Sequence, residues 1–338
     1  MSNRLLRFTS RMQRRCFSVD ESVKKSTKKD FEYCVDLVQN RDREGYLCGL
    51  LMPHDARRSY FAIRAFNVEL ASIKDARKSE GGEFDAASLA LKIRVQWWQD
   101  ALNQVFGDID EQVAAGGISL DMATSCWNNP VVRLLNDAVH ESNLTKRFLE
   151  RLLEARAADL DVKQLATLAE AIDYSENTFS SLLYLSLESA GVRDDAADTV
   201  AYNAGIGIGL VTALRSARFR LVRGECAIPQ ELIAKGFPYH KFNLEDPKAE
   251  MTEGDVQMLQ DAVFEMSQKA SLHFSEAREN QSVVPKHARP CLLPVVPAFH
   301  HLSKLEKVKY NIFDDTLLEQ DQLTGLLLLG RTWLTGVF

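Results

Sequence analysis

The chain has 338 residues, 46% hydrophobic and 26% charged, which is the composition of a globular protein with one large core or two domains. Its formal net charge is −6, but residues 1–19 hold five arginines and no acid, leaving 36 of the 41 basic residues against 47 acidic ones in the rest. So acidic a body excludes nucleic acid as the main partner, because phosphate backbones are held by clustered positive charge.

At the start of the chain, Arg4, Arg7, Arg11, Arg14 and Arg15 are interspersed with Leu5, Leu6, Phe8 and Met12. An Arg-rich, acid-free start of this kind reads as a mitochondrial transit peptide, and no apolar run comes after it to make it a secretory signal. Arg15-Cys16-Phe17-Ser18 fits cleavage after the aromatic residue, so residues 1–17 are expected to leave on import. A disordered basic arm is the alternative. Residues 18–30 are polar and Lys-rich and read as a flexible lead-in.

Helical periodicity dominates the rest of the chain. Leu144, Phe148 and Leu152, with Leu149 and Leu153, form a stripe at helical spacing, and Asn143 or Thr145 is placed to cap its start. Leu182, Leu183, Leu185 and Leu187 predict a helix buried on all sides. Alternating Val/Ile/Thr runs are absent, so strands are not expected. Breakers gather at Gly81-Gly82, from Gly107 to Gly117, from Phe237 to Asp255 and from Val283 to Pro297, separating helical blocks of one all-α domain. Gly205-Ile206-Gly207-Ile208-Gly209 lacks both the third glycine and the preceding strand of a dinucleotide fingerprint; it predicts close helix–helix approach. Six cysteines (Cys16, Cys34, Cys48, Cys126, Cys226 and Cys291) show no CxxC spacing and read as free thiols. His300-His301 are adjacent and point to different sides of a helix, so no metal site is expected from them. No run of 18 uncharged apolar residues exists. Leu323 to Phe338, interrupted by Arg331, reads as a terminal helix packed on the core, with a membrane-surface or partner-docking helix as the alternative.

Two segments carry a family resemblance. Leu210, Leu214, Arg215, Arg223, Gly224 and Pro229 reproduce the frame of the second aspartate-rich segment of squalene and phytoene synthases. Ser216 and Arg220 stand where that family has metal-binding aspartates. Pro53, Arg57, Arg58, Ala62, Ile63, Ala65 and Phe66 similarly lead into the first segment, where Ala71 and Ser72 take ligand positions and only Asp75 is acidic. Glu69 lies two residues, about 200°, around the helix from Ala71 and does not substitute. Trp97-Trp98, Arg156 to Leu160 with Asp159, and the segment headed by Tyr174 resemble further family segments, so residues 31–313 can be followed along the family, with 314–338 as a helical tail.

The resemblance implies a single-domain, isoprenoid-synthase-like bundle of helices around a central cavity. It also implies a lost metal site. Ionising a diphosphate needs Mg²⁺ held by carboxylate oxygens, and a guanidinium about 4 Å from a divalent ion would cost roughly 8 kcal/mol at an effective dielectric of about 20. No metal and no cofactor are therefore expected, and no catalytic residue is assigned. With the targeting peptide, the pattern resembles a non-catalytic branch of the family, the assembly factors for respiratory complex I. That likeness implies a mitochondrial matrix protein, peripheral on the inner membrane or free of it, that contacts assembly intermediates or other assembly factors during early membrane-arm assembly. Arg215, Arg218, Arg220 and Arg223 fall within nine residues and form a candidate anion or partner site, with a solvated basic face as the alternative. Two other readings stay open: a prenyl transferase with a rearranged metal site around Asp75, Asp100 and Asp159, and a binder of an isoprenoid or anionic lipid.

Overall fold

The computed structural model describes residues 21–76, 84–107, 125–233, 237, 252–319 and 322–337. The expected transit peptide, residues 1–17, lies outside them, as do Cys16 and Gly81-Gly82. The described residues are helical and contain no strand. After one turn at Glu21–Lys24 come α1 (Lys28–Arg41), α2 (Arg43–Leu50), α3 (His54–Ala76), α4 (Phe84–Val105), α5 (Pro130–Ser142) and α6 (Lys146–Ala158). The second half holds α7 (Leu168–Ser175), α8 (Ser181–Ser189), α9 (Asp195–Val222), α10 (Glu253–Asn280), α11 (Val295–Lys307) and α12 (Gln322–Thr335).

Local chemistry sets many of these boundaries. Thr27 and Asp30 form a capping box at the start of α1, as Thr252 and Asp255 do for α10. Asn129 caps α5 ahead of Pro130. Of the two candidate caps before α6, Thr145 is the N-cap, but its side chain makes no capping bond. Its N–H and hydroxyl donate to the Glu188 carboxylate instead, at 2.8 and 2.5 Å. Asn143 ends α5 in the left-handed region, at φ 51°.

The reading of residues 18–30 as a flexible lead-in needs correcting at its C-terminal end. Asp30 is 4% exposed and is gripped by Arg133 from α5, whose Nε donates to it at 3.1 Å. The Ser26 N–H donates to Asp137 at 3.1 Å. Burial raises the Asp30 pKa, but the Arg133 and Thr27 hydrogen bonds outweigh it and hold the carboxyl below its ordinary value.

The middle of the bundle is α8 and α9, with α10 packed against α9 from outside. All nine residues of α8 are buried, as the leucine run predicts. Trp98 packs edge-on against Phe66 at 5.3 Å between centroids and is core, with Trp97 beside it. The Gly205–Gly209 run is where α9 meets its neighbours. A Cβ on Gly207 would sit 2.4 Å from the Phe274 ring of α10, and one on Gly209 would sit 2.3 Å from Ser175 Oγ. Between α7 and α8 the backbone makes a π-turn over Glu176–Ser180, and the Ser180 hydroxyl donates to Tyr202 O of α9 at 2.9 Å. Cys34, Cys48, Cys126, Cys226 and Cys291 are buried thiols outside any disulfide. Burial pushes the thiols up, to about 12 at Cys34, Cys126 and Cys291 and about 11 at Cys226, so they are inert core. The terminal helix α12 packs through buried Leu329, and Trp333 Nε1 donates to Leu51 O at 3.1 Å. No described helix is long and apolar enough to cross a membrane.

Candidate functional site

A cavity of about 390 Å³ opens between α3, α7 and α9. On α3 its wall includes Val68, Ala71, Ser72 and Asp75, and on α9 Ile208, Thr212, Ser216 and Arg220, each set at a three- and four-residue spacing. Ala71, Ser72, Asp75, Ser216 and Arg220 therefore all border one space. Glu69 does not line it.

The donors left there do not suit Mg²⁺. Ala71 offers no oxygen. The Ser72 and Ser216 hydroxyls are turned onto their own helices, donating to Glu69 O at 2.8 Å and Ala213 O at 2.9 Å. Asp75 stands at the rim, 69% exposed, 3.8 Å from the Arg223 guanidinium. The rearranged triad also fails to form: Asp100 on α4 accepts from Gln96 at 2.9 Å and does not line the cavity, and Asp159 is paired with Lys74 at 3.1 Å. Among the described residues no three His, Cys, Asp or Glu side chains converge as a metal site. An octahedral oxygen shell does not fit these residues.

The charge of this wall is positive instead. Arg41, Arg64, Arg156, Lys163, Arg215 and Arg220 border the cavity, against Asp42, Glu44, Asp75 and Asp159. Arg64 Nε donates to Asp42 at 2.7 Å, and Arg215 Nη1 to Glu44 at 2.7 Å. Arg156 lies over the Tyr174 ring, 5.7 Å from its centroid, and donates to the Tyr174 hydroxyl at 2.8 Å. The Arg156 Nε is buried with no hydrogen-bond partner. Burial pushes Tyr174 above its usual pKa, while Arg156 and Arg220 pull it back, which places both guanidinium charges near that ring.

Sequence reasoning passed over Lys74, one residue before Asp75. Its ammonium donates to Asp159 O, Asp159 Oδ2 and Val162 O at 2.9, 3.1 and 3.0 Å, and lies 3.9 Å from Glu225. It ties α3 to the turn after α6 and to the loop after α9. The available signal was a lysine inside the acidic window of the first segment.

The four-arginine cluster is split. Arg215 and Arg220 border this cavity, and Arg223 is exposed beside Asp75. Arg218 faces away, donating to Asp315 at 2.8 Å and to Phe313 O at 3.3 Å. At about 100° per residue Arg218 and Arg220 diverge by about 200°, so one anion cannot engage all four.

An all-α bundle with α3 and α9 facing one central cavity is the class of scaffold seen here. The squalene/phytoene synthase profile matches residues 38–324, and the chain belongs to that family. It is 34% identical over 301 residues to the Rattus norvegicus protein named NADH dehydrogenase (ubiquinone) complex I, assembly factor 6, covering 89% of this chain and 81% of that one. The Homo sapiens protein of the same name is 33% identical with the same coverage. Among solved structures, a squalene synthase from Alicyclobacillus acidocaldarius superposes with a TM-score of 0.61 at 19% identity, covering 87% of this chain and 97% of that one. That last likeness speaks for the fold alone.

Proposed function

We propose that this chain is a mitochondrial complex I assembly factor: a non-catalytic member of the squalene/phytoene synthase family that contacts assembly intermediates or other assembly factors. The carrying observation is the identity of 33–34%, over most of both chains, to proteins named for that role. The cavity supports the non-catalytic part, because Ser216 and Arg220 on α9 and Ala71 on α3 leave no carboxylate shell for a metal. The five arginines before residue 19 support import, and hence action on the matrix side during early membrane-arm assembly. Depletion of the protein should lower mature complex I on native gels while the other respiratory complexes persist, and the full-length chain should restore it. Normal complex I after depletion, with loss of an isoprenoid product, refutes the reading.

One observation favours a second reading of the same cavity. Six basic groups against four acidic ones, with Arg156 Nε unpartnered, suit an anionic isoprenoid or lipid held without metal. Mass spectrometry of lipids extracted from natively isolated protein tests it, and recovery of no bound anion removes it.

A further inference from the structure

A second cavity of about 400 Å³ lies on the other side of α9, closed by the C-terminal segment. It shares only Glu44, Arg215 and Pro297 with the first. Its apolar wall comes from Leu47 of α2, Leu214 of α9, Ile312 and Leu317 after α11, and Leu326 and Leu329 of α12. Phe219, Leu318 and Leu326 line it too, and each stays about half exposed, so the apolar surface continues to solvent.

The charged lining is mainly basic. Arg43, Arg215, Arg218 and Lys304, with His300 and His301 beside them, face two carboxylates, Glu44 and Glu319. Glu44 is occupied by Arg215 at 2.7 Å, and Lys304 Nζ donates to the Glu319 backbone oxygen at 2.9 Å. The carboxylate that Arg218 meets is Asp315, itself 84% exposed, a solvent-facing contact that a ligand can displace. At the centre is His301, 8% exposed, whose Nε2 is buried without a hydrogen-bond partner. Burial, then the charges of Arg215, Lys304 and His300, push its pKa to about 4, so the ring is neutral near pH 7 and carries one N–H donor. A buried imidazole nitrogen without a partner, beside Arg215 and Lys304, is an uncommon feature that a bound polar head would resolve.

We propose that this cavity binds a single-chain amphiphile with an anionic head, the head meeting His301, Lys304 and Arg215 and the tail lying along the leucines of α2, α9 and α12. The cavity has the size of small-molecule pockets, about 300–1,000 Å³, and their usual make-up of apolar walls with a few convergent polar groups. Head chemistry is shared by fatty carboxylates and lysophospholipid phosphates. The proposal does not rest on the assembly role, and of its head-binding groups only Arg215 also borders the first cavity.

The test titrates the purified full chain with dodecanoate, dodecyl phosphate, octanoate and dodecanol, by calorimetry and by the NMR signals of the His301 ring. We expect saturable binding of one dodecanoate or dodecyl phosphate per chain, and the tighter of the two names the head. Each buried methylene is worth about fourfold in affinity, so octanoate should bind at least tenfold more weakly, and headless dodecanol likewise. Lys304→Glu, on a partly exposed side chain, should keep the parental melting temperature and lose at least tenfold in affinity; His301→Leu should lose a similar factor. Absence of saturable binding by both anions overturns the proposal, as does dodecanol binding as tightly as dodecanoate. Binding that survives Lys304→Glu but is lost in Arg156→Ala would place the amphiphile in the first cavity and also overturn it.

Discussion

Replacing Gly205 by alanine isolates the contact on which the centre of the bundle depends. An added Cβ would lie 2.3 Å from Ser180 Oγ and 2.4 Å from Ser180 N and Cα, where carbon contacts are ordinarily about 3.5–4.0 Å. Ser180 has no easy retreat, since it is fully buried in the π-turn and bonded to Tyr202 O. Helix α9 and the turn must therefore separate by about 1 Å. Overpacking of this kind costs about 1–3 kcal/mol, and backbone opposition puts it at the upper end. Alanine returns about 1 kcal/mol of helix propensity, leaving a net loss of about 2 kcal/mol and, for a chain of this length, a melting temperature lower by roughly 3 °C. Urea unfolding followed by circular dichroism reads the change, with Gly325→Ala and Gly330→Ala as controls. Both control sites have nothing within 4 Å of an added Cβ and should gain up to about 1 kcal/mol. Gly205→Ala as stable as the parent, alongside stabilised controls, would refute the close approach. Because Ser175 and Phe179 border the first cavity, the same variant should also disturb that wall.

Two further outcomes rest on the ionisable groups. The folded pKa of His301 is depressed to about 4 from 6.5, so the unfolded chain binds more protons between those values. Its contribution, about 3 kcal/mol, is fully present above pH 6.5 and is lost as pH falls toward 4. Urea midpoints across that window should fall in the parent and fall visibly less in His301→Leu; equal slopes refute the assignment. For the degenerate segments, the double variant Ser216→Asp, Arg220→Asp should still show no Mg²⁺-dependent thermal shift with inorganic diphosphate, because Ala71 and Ser72 leave α3 short of carboxylates. A ligand at 100 times its dissociation constant stabilises by about 2.7 kcal/mol, so a clear shift in the parent would remove the non-catalytic reading.

What was legible in the sequence was mostly local. The leucine run of α8, the glycine run of α9 and the i, i+4 register of the two degenerate segments each read through helical periodicity, and each lies where that periodicity places it. Distant pairings were not legible. Lys74 meets Asp159 across 85 residues, and Arg133 meets Asp30 across 103. Composition made residues 18–30 look like a tether; the Thr27–Asp30 capping box was present in the sequence but gave no hint that a distant arginine would bury it. The arginine cluster misled for the opposite reason. Proximity along the chain is not convergence on a helix, and the two-position step from Arg218 to Arg220 suffices to send them to opposite sides. The second cavity draws Arg43, Arg215, Lys304 and Leu326 from four separate helices, so no window of sequence could display it.

The charges around the first cavity are balanced within the chain. Clustered carboxylates in a partly buried wall repel one another and need a cation. Here that need is met from within the chain. The Lys74 ammonium, only 15% exposed, takes Asp159 and lies near Glu225, while Arg64 takes Asp42 and Arg215 takes Glu44. With Asp75 left at the rim beside Arg223, every acidic side chain of the wall has a basic neighbour. The Lys74–Asp159 and Arg64–Asp42 pairs are largely buried, and removing one partner there strands the other at a cost of about 3–5 kcal/mol; the half-exposed Arg215–Glu44 pair is worth little. The wall is thus held in one arrangement by internal pairs rather than by an exchangeable ion. It leaves Arg156 and Arg220 as positive groups not consumed by carboxylates of the same wall.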